Sequence, residues 1–322
     1  MKYFKKQHLI FIKRKLFFAF LVIFFVITIF NYFDRSAISK FTTVTTTKII
    51  FSKIITTKQP NIRNLIEKND YVIKQNTVND LLIVSISNYG FKNLTLNWIT
   101  NLYKLGFNKF VVFCFDLELY EFLSEKGYKN NLAIVPSEWL DFKVSKSFLN
   151  WGSKDYNQIT QAKPQIWYQL LKLKINIFFS DPDVVWLNEH IIDHLKFIYE
   201  YSTADLLFSL DNNRKSITYN TGLFMAKSTT YSIDLFLNLI NEQRKNPSYS
   251  NQKVFKIITK KMYSSDNKII ALDPILFASG KVFLKLKLNK KFNLNPYTFH
   301  ANYLIGMEAK INALKANNFW FI

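Results

Sequence analysis

The chain has little of several residue types, and each shortage excludes a class of protein. Cys114 is the single cysteine in 322 residues, so a disulfide framework and a multi-cysteine zinc site are both excluded. The four histidines are scattered (His8, His190, His194 and His300) and do not replace the missing cysteines. Hydrophobic residues make up 49% of the chain, which excludes wholesale disorder and allows a large core. The chemistry must therefore use carboxylates, hydroxyls, amides and at most a histidine.

Acidic residues are also few, with 23 Asp plus Glu against 43 Lys plus Arg, and the net charge is +20. Six of the basic residues precede the first acidic residue, Asp34: Lys2, Lys5, Lys6, Lys13, Arg14 and Lys15. The others are spread along the chain without an arginine-rich tract. We therefore expect no nucleic-acid partner, although a diffuse positive field suits anionic small substrates.

The strongest local signal is the apolar run LFFAFLVIFFVITIF at residues 16–30, which aromatic residues extend to Phe33. At about 1.5 Å per residue these positions cover most of a bilayer core of roughly 30 Å. A cleaved signal peptide is the alternative, but the run is long for one and no small-x-small cleavage site follows it. The basic residues before the run keep the N-terminus cytoplasmic. We therefore predict a cytoplasmic tail (1–15) and a transmembrane signal anchor (16–33), with the remainder across the membrane.

Residues 34–78 are rich in lysine and threonine and contain only short, irregular apolar clusters. Such a segment is typical of a stem that holds a domain away from the membrane. The folded domain is predicted to cover residues 79–322, a length within the range of α/β enzymes.

Strand and helix patterns alternate in that domain. Apolar runs of strand length lie at residues 81–86, 110–115 and 175–179, and helical patterns end at Gly106 and Gly127. A third helix is expected to begin with Pro164 in its first turn. The strands are apolar on both faces, which predicts an α/β fold with a doubly wound, mostly parallel open sheet and helices on both faces. Ligands bind beyond the carboxyl ends of the strands in such sheets.

At one such strand end lies the sequence SDPDVVWL, residues 180–187. In an extended segment Asp181 and Asp183 point to the same side and can present two carboxylates to one ligand. A hard divalent cation removes the repulsion between such carboxylates. The alternative to a metal site is a loop in which both aspartates are merely solvated. The buried strand before Asp181 and the apolar residues after Asp183 disfavour this alternative.

Two enzyme classes place such a pair at a strand end. Phosphatases with an aspartate nucleophile use a formally similar Asp-x-Asp pattern, but they need a downstream lysine and a further acidic pair. The candidates for that pair, Asp205 and Asp211, are poorly spaced. In glycosyltransferases that use sugar nucleotides, a metal ion joins Asp-x-Asp to the donor diphosphate.

The segment from Leu170 to Leu187 resembles the nucleotide-diphospho-sugar transferase domain of glycosyltransferase family 77. The resemblance continues in Asn97-Trp98, Asp116, Asn220-Thr221-Gly222-Leu223-Phe224, His300-Ala301-Asn302-Tyr303, Gly306 and Lys310. It covers the chain from about Asn79 to the C-terminus. It implies a GT-A fold and a retaining transferase for galactose, xylose or arabinose units, in a type II Golgi membrane protein with a lumenal catalytic domain.

The resemblance also implies the site. Mn²⁺ or Mg²⁺ would be held by Asp181, Asp183 and His300, and the catalytic group would include Asn251 and Gln252 with the two aspartates. The nucleotide sugar, with a UDP-sugar expected, would contact Asn88, Asp116, Lys163, Asn220, Thr221, Gly222, Gly306 and Lys310. Simpler interpretations stay open: a structural histidine at 300, a surface lysine at 310, a tight turn at Gly222 and a helix cap at Asp116.

The sequence departs from the family pattern at two positions. Asn251-Gln252 stands where an Asp-Gln pair is common, so a carboxylate is lost. Lys174 stands where a glycine usually precedes the metal-site strand, in a left-handed turn that strains lysine. Neither change affects the metal pair.

The sequence thus predicts a metal-dependent retaining glycosyltransferase with a glycan or glycoprotein acceptor and a membrane anchor. A metal-dependent phosphohydrolase and a non-catalytic glycan-binding protein on a degenerate transferase fold are the alternatives. Asn93-Leu94-Thr95 could carry a glycan in the lumen.

Overall fold

The computed structural model describes residues 62–141, 154–211, 218–262 and 267–322. The predicted tail and anchor lie outside these ranges, as does most of the predicted stem. Within the ranges, no helix is both long and apolar enough to cross a membrane. Residues Asn61–Ile322 form one compact unit.

Buried apolar runs form the strands of the unit. The strands are β1 (Leu81–Ser87), β2 (Val111–Cys114), β3 (Leu132–Ile134), β4 (Asn176–Ser180), β5 (Val184–Trp186), β6 (Leu206–Leu210), β7 (Tyr219–Ala226), β8 (Ile269–Ala271), β9 (Phe277–Ser279) and β10 (Thr298–His300). Seven strands of the described residues make the main sheet, in the order β3-β2-β1-β4-β7-β6-β8. All neighbours pair in parallel except those of β7, which is antiparallel to both β4 and β6. The predicted mixed α/β fold with a mostly parallel sheet is confirmed.

Helices connect these strands. They are α1 (Ile62–Glu67), α2 (Asn69–Asn76), α3 (Lys92–Lys104), α4 (Leu117–Glu125), α5 (Lys154–Lys172), α6 (Ile191–Glu200), α7 (Thr230–Lys245), α8 (Asn251–Met262), α9 (Leu288–Lys291) and α10 (Met307–Ala316). A π-helical turn at Lys281–Leu286 precedes α9. The first two helices fall in the range that the sequence assigns to a stem, and Asn69 of α2 donates from Nδ2 to the carbonyl of Ile134 in β3 (2.7 Å).

The main sheet is buried on both faces because successive side chains of each strand point to opposite sides. Leu81 and Ile83 of β1 pack in a core with side chains of α3, α4 and α6. Leu82 and Val84 pack in a second core with side chains of α2, α5, α7 and α8. Helices therefore cover both faces, as the two-sided apolar strands predict.

The helix before β4 differs from the sequence prediction. Pro164 lies inside α5 rather than in its first turn. An interior proline costs about 3 kcal/mol through its missing N–H and its ring. However, Ile166, Trp167 and Leu170 are fully buried, and each such side chain contributes about 1.5–3 kcal/mol. Packing on the sheet therefore outweighs the local preference. After α5, Lys174 has φ of +61°, which confirms the predicted left-handed turn.

A second, three-stranded sheet has the order β5-β10-β9 and is absent from the sequence prediction. Its middle strand, β10, is antiparallel to β5 and parallel to β9. Its apolar side chains form a separate small core that includes Val185 and Phe299. This sheet positions the C-terminal part of the chain against the segment that follows β4.

Strand β2 and helix α3 each carry a residue that the sequence analysis singled out, Cys114 and Asn93. Cys114 lies fully buried in β2, and burial, together with the nearby Asp116 carboxylate, raises the pKa of its thiol well above the usual value. Such a thiol is an inert core group. Asn93 is exposed in the first turn of α3, while Thr95 of the same sequon is buried and its hydroxyl hydrogen-bonds to Ser87 (2.7 Å).

Candidate active site at the carboxyl edge of the sheet

Strands β1, β2, β4 and β6 run in the same direction, so their carboxyl ends meet at one edge of the main sheet. A polar residue follows each of them directly or one residue later: Asn88, Asp116, Asp181 and Asp211. Antiparallel β7 begins at this same edge with Tyr219 and Asn220. This is the edge at which open α/β sheets bind ligands.

Asp181 and Asp183 lie in the turn that joins β4 to β5. The turn is closed by the N–H of Val184, which donates to the carbonyl of Asp181 (3.0 Å). Two side chains of α3 hold its flanks: Trp98 donates from Nε1 to Ser180 Oγ (3.0 Å), and the Asn101 amide forms two hydrogen bonds with the backbone of Trp186. The motif is therefore held on both sides by a buried helix.

His300 is brought to this turn by the small sheet. It ends β10, where it pairs in antiparallel register with Val184, and the next N–H, of Ala301, donates to the carbonyl of Asp183 (3.0 Å). The His300 Nε2 atom lies 3.2 Å from Asp183 Oδ1. One ligand atom from each of Asp181, Asp183 and His300 lies within 4.8 Å of the others. The sequence-predicted metal ligands thus form one cluster.

Two lysines neutralise the carboxylates of the cluster. Lys163 of α5 forms an ion pair with Asp181 (Nζ to Oδ1, 2.5 Å), and Lys310 of α10 forms one with Asp183. Burial on its own raises the pKa of a carboxyl group, but the Lys310 ammonium and the His300 ring outweigh burial and hold the pKa of Asp183 well below its usual value. Asp183 is therefore ionised at neutral pH despite being buried. Both lysines were predicted to contact the nucleotide sugar, and the cluster places their ammonium groups beside the metal ligands.

Gly222 of β7 lies directly against the cluster. A Cβ atom at this position would lie 2.6 Å from Asp181 Oδ2 and 2.6 Å from His300 Cε1. The N–H of Asp181 donates to the carbonyl of Gly222 (2.7 Å), which fixes the approach. A space bounded by two carboxylates and an imidazole, with glycine where any side chain would intrude, fits a hard divalent ion such as Mn²⁺ or Mg²⁺. The residues that would hold it are Asp181, Asp183 and His300.

The other predicted site residues lie along the same edge. Asn88 is buried after β1. Asp116 follows β2 and caps α4, because its Oδ1 accepts from the N–H of Leu119 (2.8 Å) and its Oδ2 from that of Tyr89 (2.9 Å). Helix capping is thus an established role of Asp116, and a nucleotide contact stays a prediction. Gly306 has φ of +88° and directly precedes α10, the helix that carries Lys310.

Asn251 and Gln252 begin α8. Asn251 is buried, and its Oδ1 accepts the N–H of Gln252 (2.8 Å). The Gln252 side chain reaches β7, where its Oε1 accepts the N–H of Thr221 (3.3 Å). It also donates to Asp211. The catalytic roles predicted for this pair stay predictions, but Gln252 borders the site through Thr221.

Asp211 and Asn302, which are hydrogen-bonded to each other near the cluster, received no role in the sequence analysis. Asp211 was considered only as a member of a phosphatase acidic pair with Asp205. The two aspartates lie at opposite ends of β6, about 20 Å apart along an extended strand, so they cannot hold one ion. The usable signal was an aspartate directly after the apolar run Leu206–Leu210, the pattern that also marks Asp181.

Comparison with known proteins identifies the family of the chain. The sequence model of the nucleotide-diphospho-sugar transferase family matches residues 105–314. The chain belongs to this family, which confirms the resemblance seen in its motifs.

Named relatives include three glycosyltransferases. UDP-galactose:fucoside alpha-3-galactosyltransferase from Dictyostelium discoideum is 24% identical over 80% of this chain and 45% of its own length. Arabinosyltransferase XEG113 from Arabidopsis thaliana is 22% identical over 73% of this chain and 39% of its own. UDP-D-xylose:L-fucose alpha-1,3-D-xylosyltransferase 3, also from Arabidopsis thaliana, is 21% identical over 94% and 81%. The chain thus spans less than half of the length of the first two.

Among solved structures, a glycosyltransferase involved in the glycosylation of the major capsid of PBCV-1 is similar over 73% of this chain and 98% of that chain. Its sequence identity is 10% and the TM-score is 0.45.

His300→Ala tests the one predicted ligand that lies outside the Asp-x-Asp motif. Loss of the imidazole removes one of the three ligand groups, so we expect the Mn²⁺ concentration for half-maximal binding to rise about tenfold or more. The cluster lies at an edge of the fold, and the small core around Phe299 is unchanged, so the melting temperature of the metal-free protein should fall little. Manganese titration followed by electron paramagnetic resonance measures the first quantity and calorimetry the second. A lower melting temperature with an unaltered manganese affinity would make His300 structural.

Proposed function

We propose that this protein is a glycosyltransferase that moves a sugar from a nucleotide-diphosphate donor to a hydroxyl group of a glycan or glycoprotein. The observation that carries the proposal is the cluster of Asp181, Asp183 and His300 beside Lys163 and Lys310 at the carboxyl edge of the sheet. Carboxylates and an imidazole suit a divalent ion, and lysines suit phosphate oxygens. Membership of the nucleotide-diphospho-sugar transferase family supports the same assignment.

The chain contributes binding and charge rather than proton transfer at this point of the site. A divalent ion held by the cluster would neutralise the nucleoside diphosphate as it leaves the sugar. Lys163 and Lys310 are point charges that can turn to phosphate oxygens once the carboxylates serve the ion. Gly222 lets Asp181 and His300 approach the backbone of β7 closely. Retention of the anomeric configuration and a resident Mn²⁺ are parts of the proposal that the family resemblance supplies.

The names of the relatives guide the choice of substrates. One uses UDP-galactose with a fucoside, and another uses UDP-D-xylose with L-fucose. We therefore propose a UDP-sugar donor, with galactose, xylose or arabinose as the transferred unit and an L-fucose residue as the first acceptor to test.

The test is a transfer assay with the purified full-length chain. UDP-galactose, UDP-xylose and UDP-arabinose are supplied separately with Mn²⁺ and a chromogenic α-L-fucoside, and products are identified by mass spectrometry. We expect one donor to give Mn²⁺-dependent transfer with release of UDP. Metal-dependent hydrolysis of a simple phosphomonoester, without transfer from any donor, would favour the phosphohydrolase instead. Tight binding of the glycan without turnover would indicate a non-catalytic protein.

The proposed location is the Golgi membrane, with a single-pass anchor at residues 16–33 and the catalytic part in the lumen. The apolar run and its basic flank support this topology. Protease treatment of intact vesicles tests it: the catalytic part should be protected until detergent is added. Digestion without detergent would exclude this orientation.

A further inference from the structure

A second polar cluster lies beside the metal-ligand cluster and is centred on Asp211. Asn220 and Asn302 donate from their side-chain amides to Asp211 Oδ1 (2.6 and 2.7 Å). Gln252 donates from Nε2 to Asp211 Oδ2. The three amides come from the start of β7, the start of α8 and the residues after β10, so three separate parts of the fold converge on one carboxylate.

This carboxylate differs in its partners from the two metal-site carboxylates. Asp181 and Asp183 each form an ion pair with a lysine. In the part of the chain that the structure describes, no lysine, arginine or histidine forms an ion pair with Asp211. Amide donors orient a carboxylate without neutralising its charge. Asp211 is therefore held in place as a charged acceptor.

The hydrogen-bond count leaves room for a ligand. An ionised carboxylate offers about four acceptor positions on its two oxygens. Oδ1 accepts from two amides, whereas Oδ2 accepts from one. Among the described residues no second donor reaches Oδ2, so one acceptor position there can take a hydroxyl group. The amide oxygens of the neighbours are themselves acceptors and bind elsewhere: Asn220 Oδ1 accepts the N–H of Gly222, and Asn302 Oδ1 that of Gly280.

The two clusters meet at Asn220 and Gly222, two residues of β7. The position of a Cβ on Gly222 lies 2.9 Å from Asn220 Oδ1 and 2.6 Å from Asp181 Oδ2. Asn220 therefore binds Gly222, which lies against the metal-ligand cluster, through its Oδ1 and binds Asp211 through its Nδ2. In a sugar nucleotide the sugar is bonded directly to the diphosphate, so a diphosphate at the metal-ligand cluster places the sugar within reach of its immediate neighbour.

We propose that Asp211, oriented by Asn220, Gln252 and Asn302, accepts a hydrogen bond from a hydroxyl group of the transferred sugar and so helps to select the donor. The proposal rests on the proposed function, since it needs the diphosphate at the metal-ligand cluster. Carboxylates recognise sugar hydroxyls because each O–H donates to a charged acceptor. Such a bond is worth about ten- to a hundredfold in affinity.

Asp211→Asn tests this assignment, because the amide keeps the size of the side chain and removes its charge. Binding of UDP, UDP-galactose and UDP-xylose to the full-length chain is measured by calorimetry with Mn²⁺ and without acceptor. The informative quantity is the Kd of the UDP-sugar divided by the Kd of UDP. We expect this ratio to rise about tenfold or more in the variant, with the Kd of UDP itself nearly unchanged.

Asp205→Asn is the matched control, because Asp205 lies near the amino end of the same strand and pairs with Lys268 (Nζ to Oδ2, 3.6 Å). It should leave the ratio at the wild-type value. If Asp211→Asn melts more than about 5 °C below this control, Asp211→Glu replaces it. The glutamate keeps the charge and moves the carboxylate by one methylene, so the ratio should still rise.

The outcomes separate the two proposals. A wild-type protein that binds neither UDP nor a UDP-sugar overturns the proposed function and this inference with it. A wild-type protein that binds both, with a ratio unchanged by the Asp211 variants, overturns this inference alone. An equal loss of affinity for UDP and UDP-sugar, or a rise only in the KM of the acceptor, would also overturn it.

Discussion

Replacing Asp183 by asparagine is expected to abolish sugar transfer while leaving the protein folded. Asp183 is buried, and its two oxygens face His300 and Lys310. Asparagine keeps the shape of the side chain but cannot supply the negative charge that a hard divalent ion requires. Removal of one positioned electrostatic group costs about 3 kcal/mol or more of transition-state stabilisation, so turnover should fall at least about a hundredfold.

Two measurements check this result. The first is kcat/KM for transfer over a range of Mn²⁺ concentrations, and the second is Mn²⁺ affinity without substrate. Asp205→Asn again serves as the control, because it also removes a mostly buried aspartate that pairs with a lysine, but at the opposite edge of the sheet. A comparable change in melting temperature in both variants, with activity lost only in Asp183→Asn, is the expected pattern. Wild-type turnover and manganese dependence in purified Asp183→Asn would remove the Asp-x-Asp pair from the mechanism.

Sequence alone predicts the carboxylate pair of the site well, because both aspartates directly follow one strand, β4. The apolar run before Asp181 has strand length, and the two aspartates follow at a spacing of two, so a pair of carboxylates at a strand end can be inferred directly. The sequence offers only the family resemblance for Asn97, whereas Trp98 also has a place on the apolar face of a predicted helix. The structure gives their physical role: Trp98 holds Ser180, and the Asn97 amide binds the backbone of Phe319 and Phe321 near the C-terminus.

The parts that sequence does not predict depend on contacts between distant segments. Strands β5, β9 and β10 have three residues each, too few to show a period, so the small sheet that brings His300 to Asp183 has no local signal. Asp211 shows the same limit. Its strand is visible as an apolar run, but its three amide partners come from different elements, and only their convergence distinguishes it from a solvated aspartate.

One departure from the family pattern lies beside the Asp211 cluster. Asn251 stands where a carboxylate is common, and its side chain accepts the N–H of the next residue. The neighbouring Gln252 remains in contact with Thr221 and Asp211. A carboxylate is therefore present at this part of the edge, and it comes from the end of β6 rather than from the start of α8.

Gly222→Ala should be nearly as damaging as the loss of Asp183, although it adds only one methyl group. The backbone of Gly222 lies outside the left-handed region, so alanine meets no conformational strain there. Its Cβ would instead lie 2.6 Å from both Asp181 Oδ2 and His300 Cε1. These side chains must move apart, and a displacement of about 1 Å at a catalytic group can cost about a hundredfold in rate.

The expected result for Gly222→Ala is thus a loss of Mn²⁺ affinity and of transfer, with a modest change in stability. Gly106→Ala is the matched control: no atom lies within 4 Å of its Cβ position, but its φ of +83° strains any other residue. The control should lose about 1 kcal/mol of unfolding free energy or more and keep wild-type activity per folded molecule. Manganese affinity, kcat/KM and denaturant unfolding are measured for both variants. If Gly222→Ala binds manganese and transfers sugar like the wild type, Asp181 and His300 do not need their present separation, and the metal site assigned to them is wrong.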